Sequence, residues 1–245
     1  MLRILDARTG DPVPATPARR GLTRVEVRAG GLDLTALRVL LTADLLVRAL
    51  ELGGTPVWTM LTAPREQAEL GTAAIALSIR PFEDSRDVAS GLGEAQVVHV
   101  RAATEEPPEA GVMVAVAPAK WDGPEGDVQG LLEDPGALRL ALLSVPRGEP
   151  ALLDAGALAE AARTAAAWRT GVARWGNRPS RPVPDEVRAR LRAAWEDDLD
   201  LPGVLAVLRD VAETPELPDG ARFETFLYAD RLLALDLAGE LGNPG

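Results

Sequence analysis

Few side chains in this chain can carry chemistry, and the most telling of them occur once. Histidine appears only as His99, lysine only as Lys120, and cysteine not at all in 245 residues. The absence of cysteine excludes disulfides, thiolate–zinc sites and cysteine nucleophiles. His99 lies in Val97-Val-His-Val100, an apolar strand pattern in which a lone histidine is expected to be a satisfied core residue. No G-x-S-x-G accompanies the serines, and nothing in the spacing places Ser85 or Ser144 near His99, so a hydrolytic triad is not expected. No G-x-x-x-x-G-K-[ST] phosphate loop occurs, and Gly53-Gly54 reads as a helix stop. The acidic pair Asp197-Asp198 precedes a helical pattern, where carboxylates favour the first turn, and is expected to cap it.

The remaining charge is uneven. The formal net charge is −11, which argues against a general polyanion binder. The basic residues gather in the C-terminal half as Arg163, Arg169, Arg174, Arg178, Arg181, Arg188, Arg190 and Arg192, interleaved with Glu160, Asp185, Glu186 and Glu196. That pattern fits a solvated helix face as well as an RNA-binding one. Trp168 and Trp175, seven apart, fall on one helix face and are expected in a core or an interface. No run of 18 uncharged apolar residues and no basic-then-apolar leader occurs, so a soluble, cytoplasmic protein with no membrane segment is expected.

The elements that must position these residues are legible in outline. Residues 1–17 read as an extended arm with Pro-rich turns, and Arg24-Val-Glu-Val-Arg28 alternates as a strand. Asp33 is placed to cap a helix over Leu34–Leu52, where Leu37, Leu40, Leu41, Leu45 and Leu46 recur at helical spacing. Pro56–Leu61 reads as the next strand, which makes a βαβ unit and predicts a parallel sheet. Further strands are expected at Ala73–Ile79, Ala95–Val100 and Gly111–Val116, then a loop over 117–127. Helices are expected over roughly 131–143, 154–175, 185–196, 201–213 and 221–241, separated by prolines. The fold class expected is α/β: a parallel-sheet half over 1–130 and a helical half over 131–245.

The stretch Asp134-Pro-Gly-Ala-Leu-Arg-Leu-Ala-Leu-Leu-Ser144 resembles the D-P-x-A-L-R-L-x-L-L-S that follows the second ATP signature of cysteinyl-tRNA synthetases. Four further segments are similar to the same family, in the same order. They are the arm Leu2–Pro17, the helix bearing Asp44 and Arg48 (D-x-I-x-R-x-L), Arg147-Gly-Glu-Pro150 (Y-R-x-P), and Asp197-Asp-Leu-Asp-Leu-Pro-Gly-Val-Leu-Ala-Val-Leu208 (D-D-L-N-T-P-x-A-L-A-x-L). The family includes the related ligase that joins cysteine to glucosaminyl-inositol in mycothiol synthesis. The resemblance implies a Rossmann-like class I synthetase core with a shortened insertion, then a helical bundle after which the chain is truncated.

The residues on which the family's activity rests depart from its pattern. The H-I-G-N/H motif, whose imidazoles and helix N-terminus hold ATP phosphates, falls on Asp33-Leu34-Thr35-Ala36. Asp33 would accept the amide bonds a phosphate needs and would repel it. The K-M-S-K-S signature falls on Ala117-Pro118-Ala119-Lys120-Trp121, with Lys120 at its second lysine. The family's zinc is held by two Cys, a His and a Glu, and that set is absent here, so zinc is not expected. The positions of the ATP signatures are therefore Asp33, Thr35, Arg38 and Lys120.

Three readings stay open at this point. The first is a synthetase-like paralogue without ATP-dependent activation that binds a small ligand, a partner protein or a related synthetase. The second is an ATP-dependent adenylate-forming ligase with a remodelled site, in which Arg28, Arg38 and Lys120 would contact phosphate. The third is a tRNA-binding fragment using the arginine-rich helices.

Overall fold

The computed structural model describes residues 1–17, 21–84, 94–123 and 128–241. The N-terminal arm is a hairpin, β1 (Arg3–Leu5) antiparallel to β2 (Pro12–Pro14). β3 (Leu22–Arg28) buries Val25 and Val27 on one face and presents Arg24, Glu26 and Arg28 on the other. α1 follows over Leu34–Leu52, capped by Asp33 and ended at Gly53, and buries 15 of its 19 residues. A helix apolar nearly all round must run through a core. α1 packs on the main sheet on one side and contacts the later helices on another.

β4 (Val57–Thr62) and a short β5 (Glu83–Asp84) extend the sheet one way from β3, while β6 (Glu94–Ala102) and β7 (Val112–Val116) extend it the other. The order is β5-β4-β3-β6-β7, and every pairing is parallel. The chain therefore reverses its direction of travel across the sheet between β3 and β6, the arrangement that leaves a crevice at the carboxyl ends of those two strands.

The segment expected as a strand at Ala73–Ile79 is instead the end of α2 (Gln67–Ala76) and its exit turn. Leu70, Ala73, Ala74 and Leu77 are buried at helical spacing, and Ile75 faces outward. The 117–127 stretch is not all loop, because β8 (Ala119–Trp121) pairs in parallel with β9 (Ala151–Leu153). Residues 124–127 of that expectation lie outside the described residues, as does Ser85.

The helical half comprises α3 (Val128–Leu131), α4 (Pro135–Leu143), α5 (Ala155–Trp175), α6 (Asp185–Glu196), α7 (Leu201–Glu213) and α8 (Asp219–Leu233). The last helix stops at Leu233 rather than running to 241. Ala234 turns into the left-handed region (φ 47), and the Asp230 carboxylate accepts the amides of Leu235 (2.7 Å) and Leu237 (3.0 Å), pulling the chain out of the helix. Trp168 and Trp175 are buried against Phe226, with ring centroids 5.6 and 5.1 Å apart. One hydrophobic cluster runs from Leu2 to Leu237, continuous across the change from sheet to helices near residue 130. Among the described residues no helix is long and apolar enough to cross a membrane.

Candidate functional site

At the carboxyl end of β3, where the strand order places a crevice, the chain turns from Ala29 to Asp33 into the start of α1. At that helix start the chain's own carboxylates occupy backbone amides. Asp33 has extended backbone, and its Oδ1 accepts the Ala36 amide at 2.7 Å. Glu66 Oε2 accepts the Leu32 amide at 2.8 Å. Glu66 adopts a left-handed conformation (φ 53) to reach it. Arg65 donates from Nε to the Gly30 carbonyl at 3.1 Å, so residues 65 and 66 clasp the Gly30-Gly31 turn. A Cβ at Gly31 would stand 2.8 Å from Glu66 Oε2, so the carboxylate can approach this closely only because residue 31 lacks one. A phosphate approaching this helix end meets the Asp33 carboxylate on the Ala36 amide and the Glu66 carboxylate on the Leu32 amide just before the cap.

Thr35 and Arg38 lie beside the 117–119 segment and bind it. The Thr35 hydroxyl accepts the Ala119 amide at 3.1 Å and donates to the Ala119 carbonyl at 3.2 Å. Arg38 is 2% exposed. Its Nη1 donates to the carbonyls of Ala117 (3.0 Å), Pro118 (3.4 Å) and Glu149 (2.6 Å), and its Nη2 to those of Val145 (3.2 Å) and Pro146 (2.7 Å). Burial lowers its pKa to about 10 against the opposing pull of Glu149, so it stays cationic at neutral pH. A guanidinium with five carbonyls in its fork has no face left for a phosphate. Lys120 is exposed on β8 and forms no ion pair among the described residues. Arg28 is exposed at the end of β3, with Nε 3.3 Å from Glu105 Oε2.

No family model matches this chain, and no curated protein sequence matches it.

The segments that carry the resemblance converge in space. Asp44 of α1 and Arg139 of α4 form a buried ion pair at 3.1 Å, and Asp44 also accepts Arg48 Nε at 2.8 Å and Arg80 Nε at 3.3 Å. Arg147 pairs with the Asp198 carboxylate and donates to the carbonyls of Ala115 (2.6 Å) and Leu5 (3.3 Å). Asp198 in turn accepts the Leu5 amide at 2.7 Å. This corrects the expectation that Asp197-Asp198 caps a helix. The cap of α7 is Asp200, whose Oδ1 accepts the Gly203 amide at 2.9 Å, and Asp198 instead ties the N-terminal arm to the helical half.

His99 is buried at 8% exposure, as expected, with a partner that sequence did not supply. Its Nδ1 lies 2.9 Å from Glu26 Oε2 on the adjacent strand, in register across the sheet. That hydrogen bond is the main cause holding Glu26 below its ordinary carboxylate value, with Arg24 adding to it and burial opposing. Glu66 and Glu26 are the two residues the sequence reading missed. Alternation in β3 put Glu26 on the polar face, but its pairing needed the strand order. Nothing local to Glu66 marks a left-handed residue reaching back to Leu32. Among the described residues no three His, Asp or Glu side chains gather as a metal site would require.

Proposed function

We propose that this chain is a cysteinyl-tRNA-synthetase-like paralogue that does not activate an amino acid with ATP and acts by binding. On this reading the sheet, whose strands run 3-2-1-4-5 in order of appearance, is the Rossmann-type core of a class I synthetase, and α4 to α8 are its helical bundle. The observation that carries the reading is at the start of α1. Asp33 and Glu66 place two carboxylates on the Ala36 and Leu32 amides, where a phosphate would be repelled, while Arg38 and Thr35 bind the segment that would have been the mobile second signature. Catalysis of adenylate formation requires donors aimed at developing phosphate charge, and here the Ala36 amide and the Arg38 guanidinium already have acceptors.

The ligase alternative loses most by this geometry, since Arg38 is one of its three phosphate contacts and is enclosed by carbonyls. The tRNA reading is weakened by the pairing of its arginines: Arg163 with Glu160, Arg190 with Asp210, and Arg192 with Glu196. Calorimetric titration of the full chain with magnesium and ATP tests the reading. No binding heat is expected at millimolar ATP, and a saturable isotherm would overturn it.

A further inference from the structure

A second site lies elsewhere on the sheet. Val25, Val27, Val98 and Val100 face the core shared with α1, and the alternate positions Arg24, Val97 and His99 face the other way. On that second face, toward the amino ends of β3, β6 and β7, a cavity of about 870 Å³ opens beneath the β1–β2 hairpin, within the range of roughly 300–1,000 Å³ that small-molecule sites occupy. Its walls are largely apolar, with Val13, Pro14, Val97, Pro108 and Val112 among them. The charged groups in its lining balance, the Asp6 and Glu109 carboxylates against the Arg8 and Arg24 guanidiniums. Net charge therefore selects neither an anion nor a cation, and hydrogen-bond polarity decides.

The donors along this wall are engaged. Arg8 donates to the carbonyls of Gly111 (2.7 Å) and Glu109 (3.1 Å), Arg24 Nη2 lies 3.0 Å from Glu26, and Gln96 Nε2 donates to the Thr23 hydroxyl at 2.8 Å. Asp6 holds the hairpin on β7, its Oδ1 accepting the amides of Met113 (3.0 Å) and Arg8 (3.1 Å). Glu109 is exposed, so its carboxylate is already solvated. His99 differs from all of these. It is buried, and its Nδ1 lies 2.9 Å from Glu26 Oε2. Glu26, kept ionised by that contact and by Arg24, can only accept, so Nδ1 carries the hydrogen. Arg101 Nη2 approaches the same nitrogen at 3.5 Å, and Nε2 has no hydrogen-bond partner among the described residues. In the neutral ring that nitrogen is an acceptor. Gly111 leaves its edge room, since a Cβ there would stand 3.1 Å from Nε2. An apolar chamber with balanced charge, engaged donors and one unspent buried acceptor favours a neutral molecule that brings a donor of its own.

We propose that this cavity binds a neutral apolar alcohol or phenol, whose hydroxyl donates to His99 Nε2 and whose body lies against Val97, Val112 and Pro14. Glu26 is the positioning residue, because it fixes the tautomer that leaves Nε2 free to accept. The site is separate from the crevice at the carboxyl ends of the strands, so its failure would leave the reading of that crevice intact.

The single histidine makes the test specific, because every imidazole signal in a proton–nitrogen NMR spectrum belongs to His99. At about pH 8, above the ordinary imidazole range, the full chain alone should show hydrogen on Nδ1 and none on Nε2. Titration with 4-propylphenol should shift the Nε2 signal saturably. Its affinity should exceed that of the methyl ether of the same phenol, which has no hydroxyl donor, by at least about fivefold, the margin one hydrogen bond supplies. Both measurements use the unaltered chain. His99→Phe, followed through the ligand's own signals, keeps a ring in the wall and should erase the preference for phenol over ether. Hydrogen found on Nε2, no saturable shift, equal affinity for phenol and ether, or a phenol preference that survives His99→Phe would each overturn the proposal.

Discussion

Arg139 Nη2 lies 3.1 Å from Asp44 Oδ2, and both side chains are 1% exposed. One residue comes from the stretch after the second signature position and the other from the helix after the first. Arg139 also donates to the carbonyls of Leu233 (2.6 Å) and Leu77 (2.5 Å), so a single guanidinium ties α1, α2, α4 and α8 together. Asp44 and Arg139 therefore hold the fold, while Thr35 and Arg38 are closed on the 117–119 segment.

Asp44→Ala removes the acceptor of three arginines and leaves Arg139 buried without a counter-charge. Breaking one side of a buried pair should destabilise the chain by about 3–5 kcal/mol in urea unfolding. Adding Arg139→Met to Asp44→Ala should cost far less than the two single changes combined, because the uncompensated charge is gone. Additive losses would show that the two side chains act independently.

Arg38→Met nearly keeps the side-chain volume but leaves the carbonyls of Ala117, Val145 and Glu149 without their donor, while those of Pro118 and Pro146 still accept the Ala151 and Glu149 amides. A buried acceptor left unsatisfied costs about 1–3 kcal/mol, so the variant should lose at least about 3 kcal/mol even if water reaches some of them. Hydrogen exchange at the Ala119 amide should accelerate as the 117–121 segment loosens from α1. A variant as stable as the parent would place Arg38 in a ligand site rather than in the scaffold.

Glu26 binds fewer protons folded than unfolded in the window below its ordinary value of 4.5, because His99 lowers its folded pKa. Its contribution to stability is therefore present above pH 4.5 and fades as the pH falls through the lowered folded value. Glu26→Gln should flatten this part of the acid limb in a series of unfolding curves. An acid limb unchanged by the substitution would show that Glu26 and His99 are not coupled in solution.

How much of this was legible depended on the range of the interaction that decides each element. α1 was readable because five leucines at helical spacing, the Asp33 cap and Gly53-Gly54 are all local. α2 was misread because Ala73–Ile79 is a short apolar run holding two isoleucines, and such runs do not separate strand from helix without the flanking Leu70 and Glu69. β8 and β9 are three residues each and exist only because they meet. The end of α8 lacks a glycine or proline signal, since Asp230 and a left-handed alanine make the stop. In the site, Asp33 was legible as a cap, whereas the carbonyls around Arg38 come from residues 117–118 and 145–149 and leave no trace in the helix that bears it.

The central claim is that the helix start where a synthetase would hold ATP phosphates is filled by the chain's own carboxylates. Its most direct test is ATP–pyrophosphate exchange by the purified chain in the presence of each standard amino acid in turn. The account predicts no exchange above the protein-free background with any of them. Exchange stimulated by even one amino acid, and lost on Lys120→Ala or Arg28→Ala, would contradict it and establish an active adenylate-forming site.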